Sequence, residues 1–181
     1  MTETPKYSVL TKEKNFEIRQ YPPYIEAEVE IDGKNHKGAV EKGFNVLAGY
    51  IFGNNISRQK IDMTAPVQAS QKIAMTSPVV VSGEGTFRVA FIMPTAFTLD
   101  TLPVPNDKRV HFISIPEHQA AAVRFSGYFQ PDSIRKHTQQ LRHWVEEKHL
   151  ATEGEYIVAG YNPPWVPGFL ARNEILVRLK I

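Results

Sequence analysis

Six histidines are candidates to ligate a metal ion or an iron cofactor, and the sequence contains no cysteine. Without cysteine there are no thiolate ligands, no disulfides and no cysteine nucleophile. His143 and Glu147 stand four residues apart on a predicted helix, a spacing at which two side chains can share a metal ion. No third ligand lies near them in the sequence, and no His-Glu-x-x-His motif occurs. The spacing therefore favours no metal site built from histidines.

The most distinctive stretch is a short phrase that occurs twice, as IDMTAPV at 61–67 and as IAMTSPV at 73–79. Proline cannot donate a hydrogen bond to a neighbouring strand, so Pro66 and Pro78 predict strand ends or edges. We expect two short strands joined by a polar link at 68–72. The phrase forms either a hairpin-like core feature or the floor of a ligand cleft.

A predicted helix over about 37–52 carries more apolar surface than a helix needs to cover a core. Its main stripe, at helical spacing, consists of Val40, Phe44, Leu47 and Ile51. The helix shoulder, a second apolar strip beside that stripe, consists of Ala39, Gly43, Val46 and Tyr50. The helix shoulder is either buried between sheet and loop or turned towards a flat apolar ligand.

The order of the elements repeats within the chain. An alternating strand at 25–31, a glycine turn and the first helix are echoed by a strand at 119–125, Gly127 and a helix at about 134–149. The repeat predicts an α+β fold: a pseudo-twofold duplicated domain with a bent antiparallel sheet and two main helices. We expect one domain over 1–181, with half-repeats at about 7–92 and 93–181.

The doubled phrase and several shorter motifs resemble the SOUL/haem-binding protein family. These motifs run in order along nearly the whole chain: Arg19-Gln20-Tyr21-Pro22, Phe44 to Gly53 followed by Asn54, Met93-Pro94, Leu102-Pro103-Val104-Pro105 and Arg172-Asn173-Glu174-Ile175. The resemblance implies a distorted β-barrel, similar to effector-binding domains of the Rob and GyrI type. It also implies a haem- or porphyrin-binding protein that buffers or carries a tetrapyrrole.

A tetrapyrrole needs an apolar platform for its ring and cations for its two propionates. We expect the platform to be the helix shoulder together with Met63. The cations are expected to be Arg178 and Lys180, which share one face of a predicted last strand at 174–181. The alternative interpretation of that strand is a solvated edge without a ligand.

The resemblance also implies how the iron of a bound haem would be held. Some family members carry a proposed axial histidine between the arginine and the tyrosine of the first motif, and this sequence has Gln20 there. The resemblance therefore implies loose, mainly hydrophobic tetrapyrrole binding without strong axial ligation. His36 and Tyr50 are the fallback candidates for an iron ligand, since histidine and tyrosine both ligate haem iron in proteins.

Charge and hydropathy argue against several other classes of binding partner. The net charge is +2, from 21 basic and 19 acidic residues, which gives no global field to attract nucleic acid or a membrane. No apolar run approaches the roughly 20 residues of a membrane span. The first residues lack the pattern of a signal peptide. We expect a cytoplasmic monomer with a small-molecule ligand, no nucleic-acid partner and no membrane insertion.

The alternative functions depend on Glu174. In effector-binding folds of the kind that the family resembles, a cleft glutamate meets cationic ligands, so the chain could be an effector-binding module. A hydrolase that uses the same carboxylate is the other alternative. No GxSxG elbow, P-loop or GxGxxG motif occurs, so the sequence itself does not predict an enzyme.

Overall fold

The computed structural model describes residues 5–57, 60–61, 67–71, 85–128, 130–162 and 166–180. Most of the doubled phrase, including Met63, lies outside these residues. Its first copy ends at Val67, where a strand begins (Val67–Gln71). The polar link predicted at 68–72 is therefore wrong for most of its length, because the backbone there pairs with two neighbouring strands.

The described chain forms nine strands and two α-helices. The strands are β1 (Ser8–Glu13), β2 (Phe16–Tyr21), β3 (Tyr24–Gly33), β4 (Val67–Gln71), β5 (Gly85–Ile92), β6 (His111–Ile115), β7 (His118–Phe125), β8 (Thr152–Gly160) and β9 (Asn173–Leu179). The helices are α1 (His36–Ile51) and α2 (Pro131–Glu147), and a short 3-10 turn spans Gly168–Leu170. Neither helix of the described chain is long and apolar enough to cross a membrane.

All nine strands belong to one antiparallel sheet with the order β1-β2-β7-β9-β8-β4-β5-β3-β6. Among the described residues β1 and β6 are the two free edges, so the sheet is open. The family resemblance implied a distorted β-barrel, and this expectation is wrong because the sheet does not close. The α+β class with an antiparallel sheet and two main helices is confirmed.

The strand order is symmetric about the β4–β8 pair. Outward from that pair, one side reads β4-β5-β3-β6 and the other reads β8-β9-β7-β2. Val29 pairs with Val89 on one side, and Val123, 94 positions after Val29, pairs with Ile175 on the other. This is the pseudo-twofold arrangement that the repeat predicts, although the half-repeat boundaries stay a prediction.

The first helix buries most of both apolar strips. Ala39 and Tyr50 of the helix shoulder and Leu47 and Ile51 of the main stripe are buried, whereas Val46, Val40 and Phe44 stay partly exposed. At Gly43 the helix lies close to β5, since a Cβ atom built on this residue would lie 2.6 Å from Val89 Cγ2. The missing side chain lets the helix approach β5 closely, and the helix shoulder enters the core.

The two helices begin in different ways. The side chain of Asn35 caps α1 by accepting a hydrogen bond from the Gly38 N–H at 2.8 Å. The second helix begins at Pro131 without a side-chain cap, three residues before the predicted start at 134. Proline is favoured at this position because its fixed φ suits the first turn and its missing N–H would have no helical partner.

We expect the Gly43→Ala substitution to lower the free energy of unfolding by about 1–3 kcal/mol, the usual effect of overpacking a core. Gly49→Ala is the matched control in the same helix, because a Cβ atom there meets nothing within 4 Å. That control should stabilise by up to about 1 kcal/mol through helix propensity. Urea unfolding of both variants measures the difference, and equal stability would contradict the close contact with Val89.

Candidate functional site

The face of the sheet opposite the helices carries an aromatic cluster in the second half. Residues such as Ala121 and Val123 pack in the core under α2, so their neighbours on β7 point to the other side. The tyrosine cleft on that side is formed by Tyr7, Tyr21, Tyr24, Ala120, Ala122, Ile157, Ala159, Tyr161 and Leu176. Its strands carry three alanines, so the tyrosines fill the space above a floor of small side chains.

A small cavity opens at one end of the tyrosine cleft. Its walls include Tyr21, Tyr24, Ile157, His118 and Arg178. The enclosed part measures about 20 Å³, which is room for about one water molecule. This volume is far below the roughly 300–1,000 Å³ of typical ligand pockets, and the depression around it is open to solvent. The cleft is therefore nearly closed, with a shallow mouth.

His118 forms part of the buried wall of this cavity. Its Nδ1–H donates to the Pro116 carbonyl oxygen at 2.9 Å, and its ring stacks on Tyr21 with 5.3 Å between centroids. Burial lowers the pKa of His118, so the imidazole is neutral at pH 7. With Nδ1 protonated, Nε2 carries the free lone pair. Among the described residues Nε2 has no hydrogen-bond partner.

Beside the cavity, Glu174 lies at the centre of a buried ion cluster. Its carboxylate accepts two hydrogen bonds from Arg19, at 2.7 and 3.0 Å, and two from Arg172, at 3.0 and 2.8 Å. The Tyr161 hydroxyl donates a further bond at 2.9 Å. The Arg19 guanidinium also lies 4.3 Å from the centre of the Tyr7 ring. The side chains of Arg19 and Glu174 are 1% and 0% exposed.

The protonation states of the cluster follow from these contacts. Burial alone would raise the pKa of Glu174, but the hydrogen bonds and charges of Arg19 and Arg172 outweigh it and hold the pKa below the ordinary 4.5. Burial raises the pKa of Tyr21 to about 12, although Arg19 opposes this shift. Glu174 is therefore ionised and Tyr21 protonated at neutral pH. A carboxylate saturated in this way has no open position for an external cation.

The first half holds a second ion cluster at the equivalent place. One guanidinium nitrogen of Arg88 donates to Glu26 at 2.8 Å and to Glu28 at 2.7 Å. By the strand registers, Arg88 occupies the position in β5 that Glu174 occupies in β9. Glu26 is 1% exposed, and its Oε1 atom has no hydrogen-bond partner among the described residues. In this cluster two carboxyl groups share one guanidinium group.

The structure places the predicted platform away from the tyrosine cleft. Ala39, Gly43 and Tyr50 are buried against β3 and β5, and Val46 packs at the edge of the same core. The Tyr50 hydroxyl donates to the Pro103 carbonyl oxygen at 2.8 Å, and burial raises the pKa of Tyr50 to about 12. Within the described residues the helix shoulder is therefore mostly buried, with Val46 partly exposed, and its role in binding stays a prediction.

The remaining predicted site residues are spread over the molecule. Arg178 is partly exposed at the cavity, and Lys180 is exposed just after β9. His36 is the first residue of α1, with its side chain outside the described part, as is Met63. In the described chain, no group of three or more His, Asp or Glu side chains is placed to hold a metal ion. His143 and Glu147 form only an exposed pair at 3.3 Å.

Sequence reasoning missed the tyrosine cleft and the role of Arg19. The signal was present in β2, where Glu17, Arg19 and Tyr21 alternate with residues that face the core. This alternation places all three on one face of the sheet. It does not show that the arginine reaches Glu174, which lies two strands away across β7.

We expect the Glu174→Gln substitution to lower the free energy of unfolding by about 3–5 kcal/mol, because it leaves buried guanidinium charges without their partner. The folded-state pKa of Glu174 is depressed. Its contribution to stability is therefore fully present above about pH 4.5 and is lost as the pH falls through the folded-state pKa. Urea unfolding between pH 7 and pH 3 should show a smaller loss of stability on acidification for this variant than for the wild type.

Glu147→Gln is the control for this measurement, because it removes an exposed carboxylate that pairs only with His143. Exposed pairs contribute about 0–1 kcal/mol, so the control should behave like the wild type. Parallel pH profiles for Glu174→Gln and the wild type would show that the cluster does not stabilise the fold through charge.

Comparison with known proteins relates this geometry to a family. The chain matches the family described as "SOUL heme-binding protein" over residues 2–178. It is 28% identical over 154 residues to human heme-binding protein 2, which covers 83% of this chain and 71% of the relative.

Solved structures of low sequence identity share the fold. The C-terminal domain of EcmrR aligns with a TM-score of 0.70 at 13% identity, covering 96% of this chain and 98% of that domain. An uncharacterised conserved protein from Listeria innocua aligns with a TM-score of 0.65 at 11% identity, covering 92% and 93%. The expected similarity to effector-binding domains is confirmed at the level of the fold. Because the family match spans nearly the whole sequence, the chain belongs to the SOUL heme-binding protein family.

Proposed function

We propose that this protein binds haem or a related tetrapyrrole at the mouth of the tyrosine cleft and buffers or carries it. Family membership supports the ligand class, and the human relative is named a heme-binding protein. The observation that carries the location is the cavity itself, which joins aromatic and apolar walls to one arginine at its rim. Apolar walls with a few placed polar groups are typical of small-molecule sites.

The chemistry of the mouth suits a dianionic flat ligand. Tyr24, Ile157 and Tyr161 are partly exposed there and can contact the faces or edges of a ring. Arg178 stands among them, and Arg guanidinium groups pair well with carboxylates such as propionates. Lys180 follows two residues later and is exposed. These residues can hold the ring edge and its acidic groups.

The volume of the cleft sets a condition on binding. An enclosed space of about 20 Å³ cannot admit a macrocycle. The ring therefore contacts the open depression, or the partly exposed tyrosines move aside to admit it. Tyr21 is less free to move, because its hydroxyl accepts a hydrogen bond from Arg19 at 3.1 Å and its side chain is buried. We propose binding at the mouth, with Tyr21 in place.

The alternative functions both require an accessible Glu174. A cationic effector would have to displace Arg19 and Arg172 from a carboxylate that is fully buried. A hydrolase would need that carboxylate to meet a water molecule and a substrate. The saturated hydrogen bonds of Glu174 favour the tetrapyrrole proposal over both alternatives.

We expect haemin and iron-free protoporphyrin to bind saturably, and the Arg178→Ala substitution to weaken protoporphyrin binding by roughly fivefold. One partly exposed ion pair contributes up to about 1 kcal/mol, which corresponds to this factor. Quenching of tryptophan fluorescence and porphyrin absorbance measure the affinities.

Arg135→Ala is the matched control, because Arg135 is an exposed arginine of α2 that pairs with Asp132. It should leave both affinities unchanged. Val46→Ala tests the helix shoulder in the same assay. If this variant weakened binding while Arg178→Ala did not, the site would lie at α1. Absence of saturable binding of either porphyrin would refute the proposed function.

A further inference from the structure

We propose that the free edge of β6 is a pairing surface for a second copy of this chain, which adds its own β6 there as an antiparallel strand. The resulting dimer has its twofold axis at Ile113. The inference is independent of the proposed ligand, and it differs from the expectation of a monomer. Four features of the described structure support it.

The first feature is the place of β6 in the pseudo-twofold sheet. Ile18 of β2 pairs with Ala121, and 94 positions later Phe112 of β6 pairs with the residue equivalent to Ala121, which is Ala27. On its outer side β2 carries a further antiparallel strand, β1. On the outer side of β6 the described chain provides no strand. By the symmetry of the two halves, this side of β6 can take one more antiparallel strand.

The second feature is that the β6 edge is unprotected. Proteins usually keep strand edges from pairing with charged side chains, prolines or bulges. The edge strand β1 has a bulge between Val9 and Thr11 and ends in Lys12 and Glu13. The sequence of β6, HFISI, has no lysine, acidic residue or proline, and it pairs with β3 in unbroken register. Among the described residues, no loop backbone is hydrogen-bonded to the outer side of β6.

The third feature is that β6 is complementary to itself in the antiparallel direction. With the axis at Ile113, this isoleucine lies opposite the Ile113 of the second copy. Phe112 lies opposite Ser114, so no like charges face each other within the strand pair. The Ile113 side chain is 38% exposed in the single chain, although it stands on an otherwise apolar strand. Pairing of the two strands covers this apolar surface in both copies.

The fourth feature is the charge at the two ends of β6. Arg109 stands two positions before the strand and Glu117 two positions after it, and both are exposed. The antiparallel register brings Arg109 of each copy beside Glu117 of the other. Within the chain Arg109 pairs with Asp107 at 2.7 Å, and Glu117 accepts a hydrogen bond from Gln20 at 3.0 Å. A parallel arrangement would instead bring like charges together, so the charges favour the twofold pair.

The size of the contact sets its strength. Five residues from each copy form the strand pair. Stable interfaces usually bury a total of about 1,600 Å², and smaller contacts are typical of transient association. We therefore expect a monomer–dimer equilibrium with a dissociation constant on the order of 100 μM.

The test is sedimentation equilibrium of the full chain without porphyrin, at concentrations from roughly 10 μM to 1 mM. The wild type should shift from the mass of one chain towards twice that mass. Ile113→Lys places two like charges opposite each other and should weaken association by roughly tenfold or more. Val9→Lys is the matched change on the β1 edge and should behave like the wild type. Urea unfolding of each variant checks that it is folded.

Two charge reversals distinguish a twofold strand pair from any other contact. Arg109→Glu and Glu117→Arg should each associate roughly tenfold more weakly alone, because like charges then meet at both ends of the pair. An equimolar mixture of the two variants should restore association, since every arginine meets a glutamate in the mixed dimer. Both positions are exposed, so these variants keep the fold even if Ile113→Lys does not.

Three results would each overturn the proposal. The first is a wild type that keeps the mass of one chain at every concentration. The second is association that a folded Ile113→Lys variant leaves unchanged. The third is a mixture of the two charge-reversal variants that associates no better than either variant alone.

Discussion

The pairing of Glu174 with Arg19 and Arg172 is the interaction on which the tyrosine cleft depends. Arg19 and Glu174 are withdrawn from water, and a buried charge without its partner is strongly destabilising. Arg19 lies on β2 and Glu174 on β9, with β7 between them. The Arg19 guanidinium reaches the carboxylate across a strand that carries alanine at 120 and 122. Larger side chains there would block the contact, so the ion cluster and the alanine floor require each other.

Two charged residues on this face of the sheet have different roles, Glu174 in the fold and Arg178 at the cavity. The guanidinium groups of the ion cluster satisfy Glu174, so this carboxylate serves the fold instead of an external cation. Arg178 remains at the rim with an open environment, where an anionic ligand can reach it. The pseudo-symmetric first half has a different charge pattern, with two glutamates around Arg88. The two halves therefore share a strand arrangement while their buried charges differ.

Much of the fold was predictable because strand alternation and helical spacing record which face is buried. The strand predicted at 25–31 forms β3, but its glutamates Glu26 and Glu28 are buried with Arg88, so its second face is not simply solvated. The second predicted helix is confirmed as α2. The barrel implied by the family resemblance was wrong, since closure of a sheet depends on pairing between distant strands. The site was less predictable still. Periodicity showed that α1 has an apolar shoulder but not what it touches, and Gly43 indicated a close approach whose partner was Val89. Arg19 and Glu174, 155 positions apart, meet only through the sheet order.

The central claim is that the ligand meets the face of the sheet opposite the helices. The most direct test is to follow backbone amide signals by NMR while iron-free protoporphyrin is added to the labelled protein. The account predicts that the largest shifts fall on Tyr24, His118, Ala120, Ile157 and Arg178, at the tyrosine cleft. Shifts confined to α1, around Ala39, Val46 and Tyr50, would contradict it and place the ligand at the helix shoulder.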